Sequence, residues 1–429
     1  MASIASFETM RASALTVMAT RSQDQDLVAK VASQHGIGAR EALLPRRRDG
    51  PAEHDQGAAR TTAVARPGSC RVVPSFGWHP WFSHQLYDDI TTSSSSAEST
   101  FVAAPTAAGE TDQEAAQQQQ QQQQHAAKKA HYQAVLSPPP HDDDFVALLP
   151  VPSPLSLFIS ATESKLRAHP VALVGEIGLD KAFRLPDDDR SRRDHPEATT
   201  TTTTTTRNEA LTPGGREGRR LSPHRVAMRH QQAVLIAQLR LAGKLGKPVS
   251  VHGVQAHGVL FDTVSSCWKG HEKHVPSRRE KRNVAPGAEE EEEEEEDEDE
   301  EATDNGEDSQ RGPAGKPFPP RICLHSYSGP VEGLRQWLRP NIPATIYFSF
   351  STAVNCGTES TSAKLDHVLR AVPADRILVE SDLHVAGEAM DAALEDMYRR
   401  VCHVKGWGLE EGAGQIASNF ESFIFGKRK

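Results

Sequence analysis

Val171-Ala-Leu-Val-Gly-Glu-Ile-Gly-Leu-Asp180 runs four apolar residues straight into a carboxylate set between Gly175 and Gly178. A short continuous apolar run suits a parallel strand buried on both faces. A Glu near the end of such a strand is costly to bury unless something pairs with its charge. Three later β-rich runs close in the same way: Val249-Ser-Val-His252, Arg321-Ile-Cys-Leu-His325 and Ile377-Leu-Val-Glu-Ser-Asp382. In a (β/α)8 barrel such strand ends converge on one face, where the active site is built.

The chain has 429 residues, but much of its composition cannot form a packed core. Gln117 to Gln124 and Thr199 to Thr206 are homopolymers, and Glu289 to Glu301 is an unbroken acidic run. Such tracts bury too little apolar surface to offset the entropy of ordering them. They are expected to be disordered and dispensable for folding. Setting aside insertions at about 40–68, 90–144, 184–220 and 269–318 leaves about 260 residues, the size of one α/β barrel. One domain over 14–425 is therefore expected. The thirteen charges of the acidic run exceed the net charge of −10, which leaves the remainder at about +3. The folded part is near neutral, so the whole-chain charge does not argue against a phosphate-bearing substrate. The acidic run reads as a solvated spacer that could also attract basic partners.

Five scattered cysteines form no CxxC pair. This argues for a reducing compartment and against a disulfide framework or a cysteine zinc site. No apolar run reaches the length needed to span a bilayer, and the N-terminus lacks a signal layout. The expected location is cytoplasmic or nuclear, with no membrane partner.

In chain order, strands are expected at 14, 72, 171, 249, 321, 345 and 377, with helices between them. Asp24 is read as a helix cap, and Ser222-Pro223 as the start of a helix running to about Leu245. The β-α alternation argues for a parallel sheet with right-handed crossovers. Seven strands are one short of a closed eight-strand barrel.

Singly, each ligand candidate is weak, because most of the nineteen histidines have structural roles open to them. The case rests on Glu176, His252, His325 and Asp382, each at the same end of a β-run. Imidazole with carboxylate suits zinc, manganese or iron, and carboxylate-rich sites admit magnesium. Two such ions would clamp the attacking and leaving oxygens of a phosphodiester. Gly-x-Ser-x-Gly, Walker A and Gly-x-Gly-x-x-Gly motifs are all absent. His79, at the end of the second strand, is balanced between a structural and a substrate-binding role. His257 is the other candidate for substrate binding.

In that order, Gly175 to Asp180, Pro248 to His252, His325-Ser-Tyr-Ser-Gly329 and Glu380-Ser-Asp382 resemble the TatD family of metal-dependent deoxyribonucleases. Gly77-Trp-His-Pro80 and the element from Asn419 to Phe425 match it as well. Glu176 to Arg184 and Glu380 to His384 look most like the fungal branch, some members of which are named as interactors of an anaphase-promoting-complex subunit. The resemblance implies a TIM-type metallo-hydrolase barrel cleaving ester bonds, above all phosphodiester bonds of DNA, with one or two divalent ions (Mg, Mn or Zn). Glu176 would bridge the ions, and His252 and His325 would complete one site. Asp382 would bind the other ion and orient the nucleophilic water, making Glu176 and Asp382 the catalytic pair. The rival is a catalytically idle barrel that serves as a cell-cycle interaction scaffold, docking a protein partner through its polar insertions.

Two departures stand out. The family opens with a strand ending in His-x-His, and no such motif precedes His35. The missing motif and the missing eighth strand are one absence. Either the sequence starts too late or the protein has lost half a metal site and a barrel strand; the first is expected, because an open barrel exposes two strand edges. Val254 stands where many relatives carry Arg, and an apolar residue cannot pair with a phosphate.

Overall fold

The structure is a computed structural model that describes residues 6–7, 9–38, 70–91, 110–187, 220–276, 315–356 and 359–427. Seven strands form one parallel sheet in chain order: β1 (Ala14–Met18), β2 (Arg71–Phe76), β3 (Leu173–Asp180), β4 (Val249–Val254), β5 (Arg321–Leu324), β6 (Thr345–Phe350) and β7 (Ile377–Val379). These are the seven runs expected from the sequence. Strand residues alternate in direction. Val73, Leu173, Cys323, Tyr347 and Leu378 pack inward, over a floor made by Phe423 and Ile424. Val174, Ile322, Phe348 and Ile377 pack outward with the apolar faces of the surrounding helices.

The helices are α1 (Ser22–His35), α2 (Glu110–Val135), α3 (Asp143–Leu148), α4 (Leu155–Ala168), α5 (Met228–Lys244), α6 (His257–Ser266), α7 (Val331–Trp337), α8 (Thr352–Asn355), α9 (Glu359–Ala371), α10 (Glu388–Lys405) and α11 (Leu409–Phe425). Among the described residues no strand joins β1 to β7. The sheet curls as part of a TIM-type barrel, so that residues of both edge strands line one cavity of about 1040 Å³. Phe7 and Met10 pack against Met390 and Leu394 beside this gap.

The tracts Thr199–Thr206 and Glu289–Glu301 lie outside the described residues, whereas the Gln tract lies within α2. The expected insertion at 90–144 encloses folded chain. Tyr132, Val135 and Leu136 pack with Phe145, Val146, Phe183, Leu185 and Val226 in a small core of their own. Leu136–Ser137 pairs antiparallel with Arg225–Val226, and Leu86–Tyr87 pairs with Ser153–Pro154. Two loops on the active-site face thus fold together into a cap. This pairing explains why α5 begins at Met228 rather than at Ser222: the residues before it are spent on a strand. It also corrects the expectation that the insertion at about 90–144 is disordered throughout. Leu185 and Phe318, near the edges of the expected insertions at 184–220 and 269–318, are buried as well. At α1 the N-cap position is Arg21, with no side-chain cap; Asp24 sits in the first turn and accepts a 2.5 Å hydrogen bond from Thr20.

Three histidines seal the cap to the barrel. His131 Nε2 lies 2.8 Å from the His84 carbonyl, and His230 Nε2 lies 2.9 Å from the Ser83 carbonyl. Burial holds His84 down to about 3 and His131 to about 4, and it lowers His230 as well. Asp88 opposes the shift at His230 and Arg229 adds to it, while His131 and His230 depress His84 further. All three folded values lie below the unfolded value of about 6.5. The unfolded chain therefore takes up protons first, and stability is lost as pH falls from about 6.5 towards the folded values. The slope is about 1.4 kcal/mol per pH unit for each histidine. Thermal unfolding followed at pH 7, 6 and 5 should show a falling midpoint, and a flatter dependence in His84→Phe.

Candidate active site

Glu176 sits where β3 slips against β4, between the pairs Val174–Val249 and Ile177–Val251. Its backbone N–H is held by the Ala19 carbonyl at the end of β1. Gly178 has a φ of +148°, and a Cβ there would lie 2.0 Å from the His252 carbonyl. Only glycine lets β4 approach closely enough to set His252 beside Glu176.

Three imidazoles surround the Glu176 carboxylate. His252 Nδ1 is 2.9 Å from Oε1, His79 Nε2 is 3.3 Å away, and His325 Nε2 is 3.7 Å away. His325 Nε2 also lies 3.2 Å from Asp382 Oδ1. The four ligand candidates expected from the sequence thus line one cavity, together with His79. His79 accepts a hydrogen bond from Trp81 N on Nδ1, which directs Nε2 at Glu176. His257 does not join them. It begins α6, its ring lies 5.9 Å from that of Tyr327, and it faces a separate small void with Leu260 and Trp337.

Two carboxylates escaped the sequence reading. Asp180 Oδ2 is 3.2 Å from His252 Nε2 and accepts a 2.6 Å hydrogen bond from Trp81 Nε1. The amides of Ala182 and Phe183 hold its other oxygen. Glu380 Oε2 is 2.7 Å from His325 Nδ1. Both residues share strand parity with a ligand candidate, Asp180 with Glu176 and Glu380 with Asp382. That period of two is the signal that would have found them.

Burial alone would raise the carboxyl of Glu176. The charge of His325 and the neighbouring His79 ring, with hydrogen bonds from His252 and His79, outweigh it and hold the group well below the usual range, while burial lowers His79 itself. Asp180 is likewise held at about 2, against its burial, by His252 and Trp81. Burial would lower His252, but Asp180 and Glu176 push it up to about 9. His325 is raised well above its ordinary value, against burial, by Glu380, Glu176 and Asp382. The buried carboxylates are thus balanced by protons on two imidazoles. A divalent ion supplies the same two positive charges and leaves both rings neutral as ligands. His79, Glu176 and His252 each offer a ligand atom within 4.8 Å of the others, which is enough to hold an ion. Cys323 lines the cavity too, but burial pushes its thiol up to about 12, so no thiolate joins the set.

Residues 16–425 match the family of TatD-related DNases. The chain belongs to the TatD family. It is 33% identical over 370 residues to the Cut9-interacting protein scn1 of Schizosaccharomyces pombe, covering 86% of this chain and 88% of that protein. It is also 26% identical over 290 residues to an uncharacterized deoxyribonuclease of Saccharomyces cerevisiae, covering 65% of this chain and 68% of the relative. Among solved structures, a TatD-family hydrolase from Entamoeba histolytica aligns over 97% of this chain and 85% of its own, with 10% identity and a TM-score of 0.43. In this TatD-family chain the motif residues are the ones that meet in the cavity. Among the described residues, no helix is long and apolar enough to cross a membrane.

Proposed function

We propose that this TatD-family chain is a divalent-metal-dependent hydrolase of phosphodiester bonds, with DNA as its substrate. One observation carries the reading: Glu176, His252, His325 and Asp382 come from four separate strand ends and converge on one cavity. Glu176 lies between the histidines and would be shared by two ions, with His252 and His325 towards one and Asp382 towards the other. Mg, Mn and Zn all suit these donors. A bound ion supplies Lewis acidity and lowers the pKa of a coordinated water.

The chain's own groups do the rest. Asp382 has a side chain one-third exposed at the cavity wall, where its carboxylate can accept the proton of the attacking water. His79 is held by Trp81 through Nδ1 and lines the cavity, and its Nε2–H would donate to a phosphate oxygen bound there. His257, the other candidate for substrate binding, faces the separate void beside Leu260 and Trp337, and that position argues against the role. The yeast relative named as a deoxyribonuclease supports the choice of DNA. Dialysis against a chelator should reduce cleavage of single-stranded and duplex DNA to background, and added Mn2+, Mg2+ or Zn2+ should restore it. Full activity in the chelated protein would refute metal dependence.

The fission-yeast relative is named for an interaction, and this supports a second reading in which the barrel also docks a protein partner through its polar insertions. A chain that binds no metal and cleaves no ester would leave that scaffold role standing alone.

A further inference from the structure

Glu380 belongs to the Glu-Ser-Asp motif but not to the ligand set. Its side chain is 15% exposed, and both of its oxygens are engaged. Oε2 lies 2.7 Å from His325 Nδ1, within ion-pair distance. Oε1 accepts the proton of the Ser326 hydroxyl, and Ser349 adds a further hydrogen bond. The backbone holds both partners rigidly. Glu380 N bonds to the Phe350 carbonyl, and His325 N bonds to the Val251 carbonyl. Ser326 takes a left-handed φ of +43°, and its hydroxyl also meets Ser351 Oγ at 3.2 Å.

A neutral imidazole has a lone pair on only one nitrogen, and the partner of the other nitrogen selects which. We infer that Glu380 is a positioning residue: its carboxylate keeps the proton on His325 Nδ1 and so turns Nε2, the atom nearest Glu176 and Asp382, towards the cavity as the ligating nitrogen. The inference rests on the proposed function, because it presumes that an ion is bound. It separates Glu380 from Asp382, two residues on in the same motif. Both residues line the cavity, but Asp382 is the more exposed to it, whereas Glu380 is turned against the His325 ring and acts through that ring.

The test compares wild type, Glu380→Ala and Glu380→Gln, using Zn2+ alone as the probe. Zinc affinity is measured by competition with a chromophoric chelator. The ring nitrogens of His325 are followed by 15N NMR in the zinc-loaded and metal-free proteins. In wild type, Nε2 should be the zinc-bound nitrogen, with a slowly exchanging Nδ1 proton. Glu380→Ala should lose about 10- to 100-fold in zinc affinity and should lose that protected proton. Glu380→Gln keeps an acceptor oxygen, so it should retain the Nδ1 proton and recover much of the affinity. A purely structural role would lower the unfolding midpoint of both variants and leave the tautomer untouched. Zinc bound through Nδ1 in wild type, or an affinity loss in Glu380→Ala well under about tenfold, overturns the inference. If Glu380→Ala does not fold, Glu380→Gln decides alone, and loss of the Nδ1 proton in it is the overturning result. A wild-type protein that binds no zinc would count against the proposed function instead. The exchange rate of the Nδ1 proton in the metal-free protein would then still test Glu380, and equally slow exchange in a folded alanine variant would refute the role.

Discussion

Glu176→Gln is expected to lower the rate of metal-dependent DNA hydrolysis by at least about 100-fold, a loss of about 2.7 kcal/mol of transition-state stabilisation. The amide keeps the shape of the side chain and removes the charge. Glu176 Oε1 is the common point of three contacts, with His252, His79 and His325. No other carboxylate among the described residues meets all three rings. Asp180 lies against His252, and Glu380 and Asp382 lie against His325. A neutral amide there would leave two ions without their shared anion. The measurement is kcat/KM on single-stranded DNA with Mn2+, alongside an unfolding curve that shows the variant is folded. Retention of more than a tenth of the wild-type rate, a loss under about 1.4 kcal/mol, would remove the bridging role.

The largest effect on stability is expected in the cap. Tyr132→Ala should cost about 3–5 kcal/mol, the range for truncating a large buried aromatic residue. Tyr132 is fully buried, its hydroxyl donates a 2.6 Å hydrogen bond to the Pro150 carbonyl, and its ring lies 5.0 Å from that of His131. Leu148→Ala, at a position 45% exposed, should stay within about 0.5 kcal/mol. Urea unfolding of both variants separates the cases. Equal, small losses would mean that the helix carrying the Gln tract is not anchored to the barrel.

The Tyr132 helix also shows where sequence reading falls short. Eight consecutive glutamines dominate the composition of that region. They mask a short apolar pattern just downstream, at Tyr132, Val135 and Leu136, which is too brief to signal a core by periodicity. Its partners, Phe183, Leu185 and Val226, come from a different loop, so no local window contains both halves. The misplaced start of α5 has the same origin, since Arg225–Val226 is a strand only because Leu136–Ser137 lies beside it.

The sequence by itself determined the seven strands, their order and the end of each at which chemistry gathers. A buried parallel strand is a local run of apolar residues, and the ligand-type residue closing it is contiguous with that run. Which charge meets which ring was decided only by the tertiary structure. Asp180 reaches His252 across 72 residues, and Asp382 reaches His325 across 57. The energies of buried ion pairs depend on separations of a few ångströms in a medium that screens them poorly. Those separations are set by the register of neighbouring strands, by the slip of β3 at Glu176 and by the missing Cβ of Gly178, which lets β4 come close.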